Sequence, residues 1–162
     1  MDLDQAAKKK VLRDFTYGLY AVTAAHEGER GIFTANWLSQ ASFDPPLVML
    51  SVELDSSTLP LIRDSGHFAI CPLDEGQKDL AGALGRPKAR AGDKFATLDL
   101  DVVDTESGVP ALADSLGYIV CRVDADIPAG DSVVFLGEVI EARTFADTPP
   151  LEMRRAGFRH AG

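Results

Sequence analysis

The sequence predicts a mainly β protein, an antiparallel β-barrel with short helical insertions, from three observations. Five to seven short runs rich in β-branched and aromatic residues are spread along the chain. Turn-forming clusters separate them: Glu27-Gly28-Glu29-Arg30-Gly31, Asp44-Pro45-Pro46, Gly108-Val109-Pro110 and Gly130-Asp131-Ser132. Helical periodicity is confined to a few brief segments. With 162 residues and neither repeats nor a low-complexity linker, residues 1–162 are expected to form one domain with a substantial core.

In chain order, residues 4–14 place Leu3, Ala6 or Ala7, Val11 and Phe15 at helical spacing, predicting a short amphipathic helix with a solvated charged face. Tyr17 to Ala25 reads as a strand, and the turn after it predicts an antiparallel hairpin with the run that starts at Ile32. Beyond the Asp-Pro-Pro corner, Leu47 to Glu53 is short and apolar, the pattern of a buried strand. Residues 55–66 read as a capped helix, with Ser or Thr at the cap, Pro60 in the first turn and Gly66 at the end. Phe68 to Leu73 predicts a strand, Gln77 to Leu84 a helix with Leu80, Ala81 and Leu84 inward, and residues 85–95 a loop. Strands are expected at Leu98–Val103, Tyr118–Ala125 and Val133–Ala142, the last being the longest. Residues 149–159 mix apolar anchors with three arginines, a composition suited to a tail docked on the body or on another subunit.

A net charge of −9 argues against nucleic acid or an anionic membrane as partner, because long-range attraction to either needs the opposite sign. No apolar run approaches the roughly 18 residues of a membrane span, and the first residues lack a signal-peptide pattern. Cys71 and Cys121 lie in apolar runs without Cys-x-x-Cys spacing and read as small buried hydrophobes in a reducing cytoplasm.

The stretch from Ile32 to Val52 places Thr34, Asn36, Ser39 and Ser42 among Phe33, Trp37, Leu38 and Phe43. Buried hydroxyls and amides need partners, which a flat heteroaromatic ligand would supply; a strand with one wet face gives the same alternation. Ser56, Ser57 and Thr58, at the start of the second helix, offer hydroxyls and free N–H groups to a phosphate, or serve only as caps. Arg86, Lys88, Arg90 and Lys94 make the most basic segment of an acidic chain and point either to an anion contact or to a solvated loop.

Other chemistry finds no signature. The chain has no Gly-x-x-x-x-Gly-Lys loop, Gly-x-Gly-x-x-Gly fingerprint or Gly-x-Ser-x-Gly elbow. His26, His67 and His160 are isolated, so no metal site is expected. No pair among the 25 carboxylates stands out as an acid–base couple, and no catalytic side chain is assigned. Such a protein can still be an enzyme when a cofactor carries the reaction.

From about Thr16 to Arg159 the chain resembles the flavin reductase-like, FMN-binding split β-barrel family. The resemblance is carried by Tyr17-Gly18-Leu19-Tyr20-Ala21-Val22-Thr23, Thr34-Ala35-Asn36-Trp37, Ser42-Phe43-Asp44-Pro45-Pro46-Leu47-Val48 and Ser56-Ser57-Thr58. It continues through Gly66-His67-Phe68-Ala69-Ile70, Gln77-Lys78-Asp79-Leu80-Ala81, Asp93-Lys94-Phe95, and Gly130-Asp131 with Phe135-Leu136-Gly137-Glu138-Val139. It implies a homodimeric split barrel that binds FMN, or FAD, and takes hydride from NAD(P)H as co-substrate. An oxygenase or redox protein is the implied partner. Thr34, Ala35, Asn36, Trp37 and Ser39 would line the flavin ring, Ser56, Ser57 and Thr58 would hold its phosphate, and cations such as Arg86 and Lys94 would neutralise phosphate or nicotinamide nucleotide. The alternative is a flavoredoxin-like FMN electron carrier without its own nicotinamide site. Where many family reductases carry His after the Gly-Asp pair, this chain has Ser132, and Cys71 replaces the usual Asn of the Phe-Ala-Val-Asn strand.

Overall fold

The computed structural model describes residues 2–160. Seven strands form one antiparallel sheet in the order β2-β1-β5-β8-β9-β4-β3. They are β1 (Tyr20–His26), β2 (Glu29–Ala35), β3 (Leu38–Ser42), β4 (Leu47–Glu53), β5 (His67–Pro72), β8 (Gly117–Ala129) and β9 (Ser132–Thr144). A separate hairpin pairs β6 (Val102–Asp104) with β7 (Pro110–Leu112).

The strand order makes a barrel unavoidable. β2 and β3 are the two ends of the sheet, yet only Asn36 and Trp37 separate them in sequence. Three Cα steps reach at most roughly 11 Å, so the sheet must curl until its two edges nearly meet. They meet without pairing to each other. The result is a barrel split along a seam that the Asn36-Trp37 connector crosses.

Two buried clusters follow from the alternation of the strands. One fills the barrel with Val22, Leu50, Val52, Phe68, Ile70, Cys121, Val133 and Phe135, and helix α2 (Leu59–Ser65) adds Leu59, Leu61 and Ile62. The other lies outside β1 and β5, where Ala21, Ala69 and Cys71 meet Leu84 of α3 (Lys78–Leu84), Phe95 of α5 (Lys94–Thr97) and Leu112 of β7. β1 and β5 are therefore covered on both faces. Gly137 lets the layers close, because a Cβ there would stand 2.8 Å from the Phe68 ring and from Cys121 Cβ.

Several expectations are corrected. Leu47–Glu53 is buried on one face only, with Met49 outward, because β4 covers the barrel from a single side. Residues 85–95 are not an open loop: they contain α4 (Lys88–Ala91) and the start of α5, and that helix leaves only Val102–Asp104 of the expected 98–103 strand. β8 and β9 are equally long, at 13 residues each. Helix α1 (Gln5–Arg13) forms as expected and is capped by Asp4, but it buries none of its residues. The C-terminal segment does dock on the body. Leu19 N donates to the Leu151 carbonyl and Met153 N to the Tyr17 carbonyl, Leu151 is buried, and α6 (Met153–Ala156) buries Met153 and Ala156. Both cysteines are free and fully buried, as expected. His67 meets the Ser65 carbonyl at 2.9 Å and is locally satisfied.

Candidate functional site

The seam opens into a cleft of about 820 Å³, within the range of small-molecule and cofactor sites. Its floor is the free edge of β2 and the connector, from Ile32 to Trp37; the segment Asp55 to Thr58 that leads into α2 forms one wall, α3, α4 and Lys94 of α5 another, and residues 157–160 close the third.

Edge geometry sets what the floor presents. The Ile32 carbonyl accepts from Lys94 Nζ at 3.2 Å, so it leaves β2 on the side away from β1. Successive strand residues point their backbone groups to opposite sides. Ile32 and Thr34 therefore both turn N–H and C=O outward, into the cleft. Thr34 also spends its own proton, since Oγ1 donates to the Ala81 carbonyl at 2.5 Å. What that hydroxyl keeps for a ligand is acceptor capacity. Asn36 Nδ2 donates to Met153 Sδ at 3.4 Å, and Trp37 stands tilted against His160 with ring centroids 5.0 Å apart.

The α2 wall carries the hydroxyls. Ser56 is half-buried, Ser57 exposed and Thr58 buried; Thr58 occupies the cap position without a side-chain cap bond, and its N–H donates to Ser56 Oγ at 3.3 Å. Gly31 makes that packing possible, since a Cβ there would lie 2.6 Å from Thr58 Oγ1. On the opposite wall Arg86 and Lys88 are exposed at the rim, while Lys94 is buried and donates to the Leu84 carbonyl at 2.5 Å. Burial pushes the Lys94 pKa down.

Thr34, Ala35, Asn36, Trp37, Ser56, Ser57, Thr58, Arg86 and Lys94 are thus brought together around one cleft. Ser39 is not: it lies exposed on β3, where its hydroxyl donates to the Gln40 carbonyl. Arg90 also lies away from the cleft lining. Ser132 is buried in the β8–β9 turn with its hydroxyl on Asp131, paired across from Glu53. The C-terminal wall of Met153, Phe158 and His160 was not anticipated as part of the site. Its trace in the sequence is Gly82, a glycine inside a helix, where a Cβ would touch Phe158 at 3.4 Å. Among the described residues no cluster of His, Cys, Asp or Glu could hold a metal ion.

A split barrel whose seam opens into a cleft with a polar edge, an aromatic side and a hydroxyl-rich end is the architecture of a nucleotide-cofactor binder. The chain belongs to the flavin reductase-like domain family, which matches residues 12–162. It is 35% identical over 158 residues to the reductase component of a 4-nitrophenol 4-monooxygenase/4-nitrocatechol 2-monooxygenase from Rhodococcus opacus, covering 98% of this chain and 82% of the relative. It is 33% identical to an NADH-dependent FAD reductase from Streptomyces globisporus, covering 86% of this chain and 76% of that one. Among solved structures, the NADH:FAD oxidoreductase of Streptomyces globisporus in complex with NAD and FAD fragments superposes with a TM-score of 0.81 at 26% identity, covering 100% and 97% of the two chains.

Proposed function

We propose that the protein is an NAD(P)H-dependent flavin reductase that holds FMN, with FAD as the alternative, in the seam cleft. The observation that carries this reading is the free edge of β2, whose outward backbone groups at Ile32 and Thr34 face a cleft of cofactor size. The donor set fits the cofactor. Hydroxyls gather at Ser56 to Thr58, where a phosphate needs donors, and aromatic surface is available at Phe33 and Trp37.

A bound flavin would supply the redox chemistry, as the acceptor of hydride from the dihydronicotinamide. The protein's part is placement. Ile32 and Thr34 N–H groups would donate to the polar edge of the ring, the Thr34 hydroxyl would accept, and Trp37 would supply stacking area. Ser56, Ser57 and Thr58 would hold the phosphate through charge-assisted hydrogen bonds. Arg86 and Lys88 draw an anionic nicotinamide nucleotide to the rim of an otherwise acidic protein. No side-chain acid or base is required, because near-contact alignment accounts for much of the rate.

A second copy of the chain is the natural cover for the outer face of the barrel. Met49, Leu136 and Ala125 are in register across β4, β9 and β8, and Val134 and Ile127 continue the stripe. Met49 is 44% and Ile127 60% exposed, an apolar sheet face of the kind that marks an interaction site. Homodimerisation there fits the reading. An oxygenase that consumes the reduced flavin is the proposed partner, supported by the relative that is a monooxygenase reductase component. Two buried free thiols fit a reducing cytoplasm, and no helix among the described residues is long and apolar enough to cross a membrane.

Steady-state oxidation of NADH and NADPH with added FMN or FAD tests the reading. Turnover that depends on added flavin is expected. Negligible turnover by protein that plainly binds FMN would instead favour an electron carrier without a nicotinamide site.

A further inference from the structure

Lys94 is the one charged side chain among the described residues that is buried, at 7% exposure. Its ammonium has three donors, and two are used, on the carbonyls of Leu84 and Ile32. No carboxylate among the described residues comes within 4.0 Å of it. Asp93, next in the chain, is turned elsewhere: its Oδ1 accepts from Phe95 N at 3.1 Å, and Oδ2 lies 3.9 Å from Arg30. The cleft's other charged side chains, Glu53, Asp55, Arg86, Lys88 and Arg159, are all exposed. A buried ion without a counter-ion costs several kcal/mol. Neutral donors would have satisfied both carbonyls, so the charge itself calls for an anion that the protein does not supply.

Position decides which end of a ligand that anion belongs to. Lys94 and Thr34 anchor on the same last turn of α3, through the carbonyls of Leu84 and Ala81. The Ser56 to Thr58 hydroxyls belong to the α2 wall, and α2 and α3 pack into different buried clusters on opposite faces of the sheet. Lys94 therefore sits at the β2 edge on the α3 side, whereas the Ser56 to Thr58 hydroxyls approach β2 from the opposite face, where Thr58 packs on Gly31.

On the flavin reading above, we propose that Lys94 is the counter-charge of reduced flavin, stabilising the anionic ring over the neutral oxidised one. The balance is simple. Hydride brings two electrons and one proton from the dihydronicotinamide, which leaves as the oxidised nucleotide. The neutral ring becomes a monoanion, and the Lys94 ammonium keeps its proton. No second proton has to be delivered.

The test measures the midpoint potential of bound flavin, and the affinities for oxidised and reduced FMN and riboflavin, in wild type, K94M and K94R. K94M is expected to lower the reduced-to-oxidised affinity ratio by roughly 10- to 100-fold, from a charge about 5 Å away in an intermediate dielectric. For a two-electron couple that is a potential about 30 to 60 mV lower. K94R should stay near wild type, and riboflavin should show the same shift as FMN. An unshifted potential in folded, flavin-bound K94M overturns the proposal, as does an affinity loss confined to FMN, which would assign Lys94 to the phosphate. Should K94M fail to fold, the wild-type potential decides. A slope of about 30 mV per pH unit, one proton for two electrons, supports the proposal, and about 59 mV refutes it. Failure of wild type to bind any flavin would instead defeat the functional reading itself.

Discussion

Gly31→Ala is the perturbation that links the fold to the site most sharply. In an ordinary strand position with compatible backbone, Gly→Ala stabilises by about 0.4 to 1 kcal/mol through the unfolded chain. Gly31 has no such room: the added Cβ would lie 2.6 Å from Thr58 Oγ1, 3.1 Å from Leu61 Cδ1 and 3.2 Å from Thr58 Cβ. Overpacking of this kind costs about 1 to 3 kcal/mol, which outweighs the entropic gain, so a net loss of about 1 to 2 kcal/mol is expected. The strain falls on Thr58, so affinity for FMN should drop together with stability. Urea denaturation of wild type, G31A, T58A and the double variant, with FMN titrations alongside, measures both effects. Removing the Thr58 hydroxyl and methyl relieves the closest contact, so G31A should cost at least about 1 kcal/mol less in the T58A background. Additivity within about 0.5 kcal/mol, the behaviour of independent sites, would refute the reasoning.

Changing Ser57 and Thr58 together to Ala should weaken FMN binding by about 1 to 3 kcal/mol while leaving riboflavin affinity nearly unchanged, as fluorescence titration will report; equal losses for both would remove the phosphate assignment. Met49→Glu combined with Ile127→Asp should convert the proposed dimer to folded monomer in sedimentation experiments, and an unchanged mass would place the interface elsewhere. Burial pushes the Cys71 pKa up to about 11 and that of Cys121 to about 12. The unfolded chain releases these protons from about pH 9, so the stability they contribute is complete below that value and declines as pH rises through it. Thiol labelling at pH 8 should accordingly be slow in native buffer and fast in urea; fast native labelling would contradict the burial.

What the sequence made legible was local. The hairpin β1–β2, the Asp-Pro-Pro corner, Pro60 and Gly66 at the two ends of α2, and the apolar runs of β5 and β9 all carry their own short-range signals. The family resemblance located the stretch Thr34 to Trp37 and the hydroxyls at 56–58. Three features escaped because they depend on contacts distant in sequence. Lys94 looked like one cation of a basic loop, and only the Ile32 carbonyl, 62 positions away, shows it as a buried charge. The wall from Met153 to His160 enters the site because the tail pairs with Tyr17 and Leu19. Ser39 carried the right chemistry, yet the strand that holds it leaves the seam after Trp37. Helix α1 shows the converse, since amphipathic spacing at Val11 and Phe15 produced a helix without producing burial.

The most direct test of the account is the visible absorption spectrum of the purified protein, recorded anaerobically with one equivalent of FMN and then with NADH or NADPH added. Flavin bands perturbed by binding and then bleached by the nicotinamide are the predicted result. Protein that leaves the FMN spectrum unchanged and elutes free of flavin would contradict the assignment of the seam cleft as a flavin site.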